Sequence, residues 1–349
     1  MKIETSYYLE ESLKLNSAED KIKTDVLKKI PTTIIDFHSH MGRPQDVERL
    51  PQDLISDLCT TYPYFSYENH LQTRQTLWGC KNIKQVVFAF PFRGVNIRNG
   101  NQYIYDVASS DDSFIPFLTG DPHDPKYTIK ELKTGKWRGV KMYPKQLHPS
   151  ADRIVDFYPA PILDEINNQK LPIILHLPNN LTIDHPELIQ LAQTFPRVRF
   201  IIAHFGMAKG SILEVEQVLQ KLAPSENIVL ETSWFSNAGI ITIALRCLGL
   251  DRIIYASDQP LNLIRAEVYI HPHLGERVIT DLPYHWVDAK EQDEYRRIMD
   301  LDPSLLPNSH FKCIKALLDT IEDISYNDSD LLVAKEKIFE ANATGLLNC

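Results

Sequence analysis

Three features of the sequence predict an α/β fold closed into a (β/α)8 TIM barrel. Eight short apolar, β-branched runs recur along the chain: TTIIDFHSH, KQVVFAF, SFIPFLTG, WRGVKMYP, LPIILHLP, VRFIIAHFG, NIVLETSWF and DRIIYASDQP. Stretches of helical length separate them, the pattern of parallel strands joined by crossover helices. No glycine-rich phosphate turn follows the first run, so an open doubly wound sheet has less support. At 349 residues, a single barrel with insertions accommodates the whole chain.

Taken in order, residues 1–30 read as a polar, partly helical N-terminal extension and residues 31–349 as the barrel. The first run ends in His38 and His40. Strand alternation points these two imidazoles to one face and Phe37 and Ser39 to the other. Residues 43–82 read as an insertion after that strand, with Tyr62, Tyr64, Phe65 and Tyr67 as candidates for an aromatic lid. The fourth run ends in Lys141. Ala160–Gln169 reads as an amphipathic helix before the fifth run, which ends in His176, and Pro186–Thr194 as another before the sixth, which ends in His204. The seventh run carries Glu231 and the eighth ends in Asp258. Residues 262–310 form a second long excursion, and an apolar tail spans Leu331 to Leu347. Parity allows Ile174 with His176, Ile202 with His204, and Ala256 with Asp258 to share an inward face.

All strand C-termini of a parallel barrel open onto one mouth, so His38, His40, Lys141, His176, His204 and Asp258 converge there despite their separation in sequence. Adjacent imidazoles on one strand face suit a cation, and every member of the set is a metal-ligating or acid/base residue type. The pair His271 and His273 repeats the first spacing, but a proline intervenes and no apolar strand precedes it, so it reads as surface loop. His123, His148, Arg43 and Trp234 lie near strand ends, where contact with a substrate and packing on the rim are equal readings.

Composition narrows the partners. Acidic residues outnumber basic ones, 46 to 37, for a formal net charge of -9, and no basic block interrupts the chain. Nucleic acid is therefore an unfavoured partner. Five scattered cysteines without a Cys-x-x-Cys spacing argue against a disulfide framework and against a cysteine zinc site. Neither a signal-peptide core nor about 18 consecutive apolar residues occurs, so no membrane span is expected and a reducing cytoplasm is the expected setting.

The order His-x-His, Lys, His, His, Asp resembles the amidohydrolase superfamily. DFHSHMG, RGVKMYP, LPIILHLP, VRFIIAHFG and IIYASDQPL narrow the resemblance to the amidohydrolase-2 branch, which includes aminocarboxymuconate semialdehyde decarboxylase and many metal-dependent hydrolases. KIFEANATGLL is similar to that branch's closing helix, with Asn342 and Ala343 as its Asn-Ala pair. The resemblance covers residues 33–261 and 335–347. It implies that His38, His40, His176 and Asp258 surround one divalent metal, with zinc expected, and that His204 and Asp258 are catalytic. Such a donor set leaves a position for water, whose pKa a metal brings from 15.7 to about 7. The implied activity is hydrolysis of an amide, ester or lactone carbonyl of a small molecule. Alternatives are non-oxidative decarboxylation of an unsaturated or aromatic carboxylic acid, and a barrel that binds a ligand without turnover. Lys141 is expected to pair with a substrate carboxylate; the alternative is a carbamylated Lys141 bridging two metals. A homodimer is also implied.

Overall fold

The computed structural model describes residues 5–48, 64–144, 151–208, 210–271, 275–281, 289–302, 305–325 and 327–348. Strand β1, Thr33–Met41, pairs in parallel with β2, Asn82–Ala89, and β2 with β3, Phe114–Pro116. A second parallel ladder runs through β4 Leu118–Thr119, β5 Val140–Met142, β6 Pro172–Leu175, β7 Arg199–Ile202, β8 Ile228–Glu231 and β9 Ile253–Ile254. β3 and β4 are two halves of the third run, divided at Phe117, whose N–H reaches Val87 O at 2.9 Å while Leu118 N–H reaches Gly139 O at 2.9 Å. The ladder returns on itself where Phe37 N–H bonds Tyr255 O (3.2 Å) and Asp258 N–H bonds His38 O (2.9 Å). Eight strand positions in chain order thus close a barrel, as the eight runs predict.

Helices follow the strand positions in turn: Tyr67–Trp78, Ile97–Ser110, Pro125–Leu132, Ala160–Gln169, Leu181–Thr194, Ile212–Leu222, Ala238–Leu248 and Ser309–Ile324. Most begin where a short polar side chain satisfies an otherwise orphaned backbone N–H: Ser66, Asn96, Asp124, Asn180, Ser211, Asn237 and Asn308 all act this way. Strand alternation divides the core. Ile174, Ile201, Val229 and Ile254 pack inside the barrel with Phe37, Phe88 and Phe117. Ile173, Leu175, Phe200, Ile202 and Leu230 face the helices.

Several sequence expectations need adjustment. Tyr67–Trp78 lies inside the stretch read as insertion 43–82, yet its buried His70, Thr73, Leu77 and Trp78 make it the crossover from β1 to β2. Phe65 and Tyr67 serve that crossover rather than a lid: Phe65 is buried edge-on to His70 (4.8 Å), and Tyr67 lies edge-on to Phe114 (5.6 Å). Tyr62 lies outside the described residues. The helix expected from Pro186 starts five residues earlier, and Thr182 O, which cannot receive an N–H from Pro186, instead meets His185 Nδ1 at 3.0 Å.

The N-terminal extension folds as two helices, Thr5–Leu13, which meets Tyr67–Trp78, and Ser17–Lys29, which packs against Ser309–Ile324. The buried Glu19 fixes it there by accepting from Arg265 Nε (2.9 Å) and Asn308 N–H (2.9 Å). The excursion after β9 holds an antiparallel hairpin, β10 Ala266–His271 and β11 Gly275–Thr280, and the helix Ala289–Ile298. His271 therefore ends a strand, contrary to the loop reading, because Ala266–Ile270 pairs across the hairpin; His273 lies outside the described residues. The apolar tail turns through Lys337–Ala341 into Asn342–Leu347 and seals the end where strands begin. Asn342 Nδ2 donates to Leu250 O (2.7 Å) and Ile253 O (2.9 Å), and Ala343 enters the inner core. No helix among the described residues is long and apolar enough to cross a membrane.

Candidate metal centre

Local irregularities aim the site side chains. Simple alternation would put Phe37 and His38 on opposite faces of β1, yet Phe37 lies in the inner core and His38 also faces the mouth. The register shift between Asp36 and Ser39 resolves this, since a bulge lets two successive side chains turn inward. The sixth run departs from expectation too. Ile201 and Ala203 are the inward residues and Ile202 packs outward, so alternation alone would send His204 away from the mouth. Three successive left-handed residues, His204 (φ 58), Phe205 (φ 50) and Gly206 (φ 66), re-aim it. Asp258 shares the parity of the inward Ala256, and its own φ is left-handed at 60.

Two donor clusters result. In the first, His38 Nε2 lies 3.2 Å and His40 Nε2 3.1 Å from Asp258 Oδ1. These three side chains are buried, and their donor atoms lie within 4.8 Å of one another, close enough to share one ion. The second cluster, His38, His204 and Glu231, shares His38 with the first. Glu231 Oε1 accepts the His204 backbone N–H (2.9 Å) and therefore meets His38 Nδ1 (3.0 Å) as an acceptor. That contact places the imidazole proton on Nδ1 and turns the Nε2 lone pair toward Asp258. Ser233 Oγ donates to Glu231 Oε1 (2.8 Å), so it accepts from His204 Nδ1–H at 2.7 Å. His204 then keeps Nε2 as its free lone pair. His176, expected beside the other ligands, stands one ring away: its Nδ1–H donates to Leu177 O (2.9 Å), and its ring centroid is 5.2 Å from that of His204.

Burial dominates the electrostatics. It pushes His38 well below the usual histidine range, with the Lys141 charge adding to the effect. His40 is lowered by burial against the opposing pull of Asp258, and His204 falls to about 4. These imidazoles are neutral at pH 7 and carry lone pairs, the form in which histidine binds a metal. Lys141 Nζ, buried 3.5 Å from His38 Nε2, is lowered to about 8 by burial. Burial raises Glu231 to about 7 against its hydrogen bonds from Ser233 and His204. The neutral nitrogens and the convergent carboxylate fit a divalent transition metal.

Aromatic and imidazole rings form a closed circuit at the mouth. His40 stacks on Phe90 (5.2 Å, 14°), Phe90 on Phe92 (6.2 Å, 26°), and Tyr143 lies edge-on to Phe92 (5.5 Å). His176 lies edge-on to Tyr143 (4.5 Å), and the circuit passes through His204 and His38 back to His40, with centroids 5.2–5.3 Å apart.

Arg43 pairs with Asp46 at 2.9 Å and lies over the Tyr103 ring at 4.4 Å, while His123 is exposed. Trp234 takes a left-handed φ of 54 beside Ser233, and His148 lies outside the described residues. Glu231, carried by the seventh run, meets His38 Nδ1 at 3.0 Å and its charge also acts on Lys141. Ser233 was missed, although it stands two residues beyond Glu231 at the end of the same run.

An eight-stranded parallel barrel with histidine and carboxylate donors gathered at its strand C-termini defines the class of barrel enzymes that work with a metal ion. The amidohydrolase family model matches residues 35–299, and the chain belongs to that family. Among solved structures it is similar to 2,6-dihydroxybenzoate decarboxylase from Rhizobium, with 13% identity over 90% of this chain and 98% of that one, at a TM-score of 0.56. It is also similar to 5-carboxyvanillate decarboxylase from Novosphingobium aromaticivorans complexed with manganese (12% identity, 91% and 96% covered, TM-score 0.56). An amidohydrolase from Burkholderia multivorans with bound zinc has 12% identity, with 90% and 99% covered and a TM-score of 0.53. At such identities the likeness shows the fold. No curated protein matches by sequence.

Proposed function

We propose that this enzyme uses one divalent metal, zinc or manganese, to remove carbon dioxide from a planar unsaturated or aromatic carboxylic acid without redox chemistry. The circuit of seven rings carries the reading, because rings gathered at the mouth favour a flat π-system over a flexible amide or ester chain. Two of the similar structures are decarboxylases of aromatic acids, which supports the same choice over the hydrolysis that the sequence first suggests.

His38, His40 and Asp258, with His176 one ring away beside His204 completing the donor set, would hold the ion. Bound there, it supplies a Lewis acid that polarises an oxygen of the substrate. Lys141, a buried ammonium at pH 7 under a pKa near 8, faces the substrate carboxylate as its counter-charge. The reaction needs one proton delivered to the carbon bearing the carboxylate; the bond to the carboxyl carbon then breaks, its electron pair returns to the π-system, and carbon dioxide leaves. Asp258 and the Nε2 lone pair of His204 would take that proton from water and pass it to the substrate carbon. An uncarbamylated Lys141 and a metal-to-protein ratio of one belong to this reading. A reducing cytoplasm remains the proposed setting, supported by the unbridged Cys80, Cys247 and Cys313.

The test reconstitutes the protein with zinc or manganese and offers it hydroxybenzoic and unsaturated dicarboxylic acids in deuterated water, beside a panel of lactones, esters and amides. Carbon dioxide release with one deuteron on the carbon that lost it is expected. Turnover confined to the hydrolytic panel would replace this reading with the hydrolase.

A further inference from the structure

We infer that Asp36 is a positioning residue for the metal centre: one buried carboxylate fixes the separation between the strand that carries His38 and His40 and the turn that carries Asp258. Sheet pairing alone leaves that separation weakly held. β9 is two residues long and ends at Ile254, four residues short of Asp258, and Asp258 itself adopts a left-handed φ of 60. Backbone bonds across the seam, Asp258 N–H to His38 O (2.9 Å) and His40 N–H to Gln259 O (2.6 Å), join the two segments. They are the last rungs before the mouth.

Asp36 braces this joint from behind the barrel wall. Its Oδ1 accepts from Ser257 N–H (2.8 Å) and, at 3.4 Å, from His38 N–H. Its Oδ2 accepts from Ser257 Oγ (2.6 Å), Ser39 Oγ (3.0 Å) and Gln85 Nε2 (3.2 Å). Ser39 stands between the two histidines, and Ser257 immediately precedes Asp258. The side chain therefore grips the direct chain neighbours of three proposed ligands without touching a ligand side chain. Gln85 extends the brace outward, donating to Gln259 Oε1 (2.9 Å) and accepting from Arg74 Nε (2.6 Å) on the crossover helix. Five hydrogen bonds converging on one buried side chain leave its neighbours little freedom, and a metal site tolerates ligand displacements of only about 0.2 Å. A carboxylate with five donors thus converts a loose two-residue strand end into a fixed coordination distance.

This inference rests on the centre binding a metal and is independent of the reaction that follows. Metal affinity is measured by chelator competition on folded protein well below its unfolding temperature, for wild type, Asp36→Asn, the double variant Ser39→Ala with Ser257→Ala, and Asn227→Ala. Asn227 donates to Ala192 O, Phe195 O and Val198 O at the opposite end of the barrel, so its loss lowers stability without touching the seam. Affinity should fall roughly 10–100-fold in Asp36→Asn and the double-serine variant, the range for lost outer partners of a metal site, and stay within about twofold in Asn227→Ala. If Asp36→Asn does not fold, the double-serine variant decides. Wild-type affinity in the seam variants, or an equal loss in Asn227→Ala, overturns the positioning role while leaving the metal centre intact; a wild type that binds no zinc or manganese overturns the metal centre and this role with it.

Discussion

His38 has a defined partner at each ring nitrogen, and this decides its chemistry. Nδ1 is committed to Glu231, so Nε2 must face Asp258 and Lys141. Glu231 does more than orient, because once ionised, above about pH 7, its negative charge raises the basicity of the imidazole behind which it stands. In Glu231→Gln the Oε1 still accepts from His38, but the new amide nitrogen replaces Oε2, which now accepts Ser233 N–H at 2.6 Å. Two donors then face each other, and the charge is gone. Metal affinity by chelator competition should drop roughly 10–100-fold, while the double variant His38→Ala, His40→Ala binds no metal by elemental analysis. Unchanged affinity in Glu231→Gln would mean that neither the charge nor the acceptor pair matters.

At the scale of elements, the order of strands and the identity of the strand-end residues were readable because a parallel barrel writes each strand as an uninterrupted apolar run. The aiming of those residues was not readable. Period-2 alternation predicts that Ile202 and His204 share a face, whereas Ile202 packs on the helices and the left-handed turn over residues 204–206 brings His204 round. The bulge in β1 likewise depends on pairing with β2 and β9, which no local pattern encodes. The crossover Tyr67–Trp78 was hidden because the polar His70 and Thr73 interrupt an apolar stripe while serving as part of its buried face. Gly206 is where the left-handed turn is most exacting: its φ is +66, and a Cβ there would lie 2.8 Å from Leu181 Cβ, at the start of the neighbouring helix. Gly206→Ala adds backbone strain to that clash, so we expect a loss of about 1–3 kcal/mol in urea unfolding. Turnover should fall with it, since His204 is two residues away in the same turn. A variant of wild-type stability would show that the turn relaxes freely.

The molecule as a whole is a barrel whose additions are bolted to its helical ring, and two buried histidines in that ring make its stability depend on pH away from the mouth. His70 sits behind β1 in the first crossover helix; His310 opens the helix Ser309–Ile324, edge-on to Trp78 at 4.6 Å. Burial lowers each to about 3. The unfolded chain takes up their protons near pH 6.5, so between pH 6.5 and about 3 the unfolded state holds more protons than the folded one. Stability therefore rises with pH across this window and is lost as pH falls, by up to about 1.4 kcal/mol per pH unit for each histidine. Urea unfolding of chelator-treated protein should show the pair contributing roughly 2–3 kcal/mol of loss between pH 6 and pH 5. Carboxylates titrate in the same range, so the decisive quantity is a difference between proteins. His310→Gln removes one of the two groups, and although it is less stable at pH 7, its pH slope should be shallower than wild type by about 1 kcal/mol per unit. Parallel slopes would mean that His310 is protonated in the folded state, and that the packing of Trp78 over its ring admits a charge.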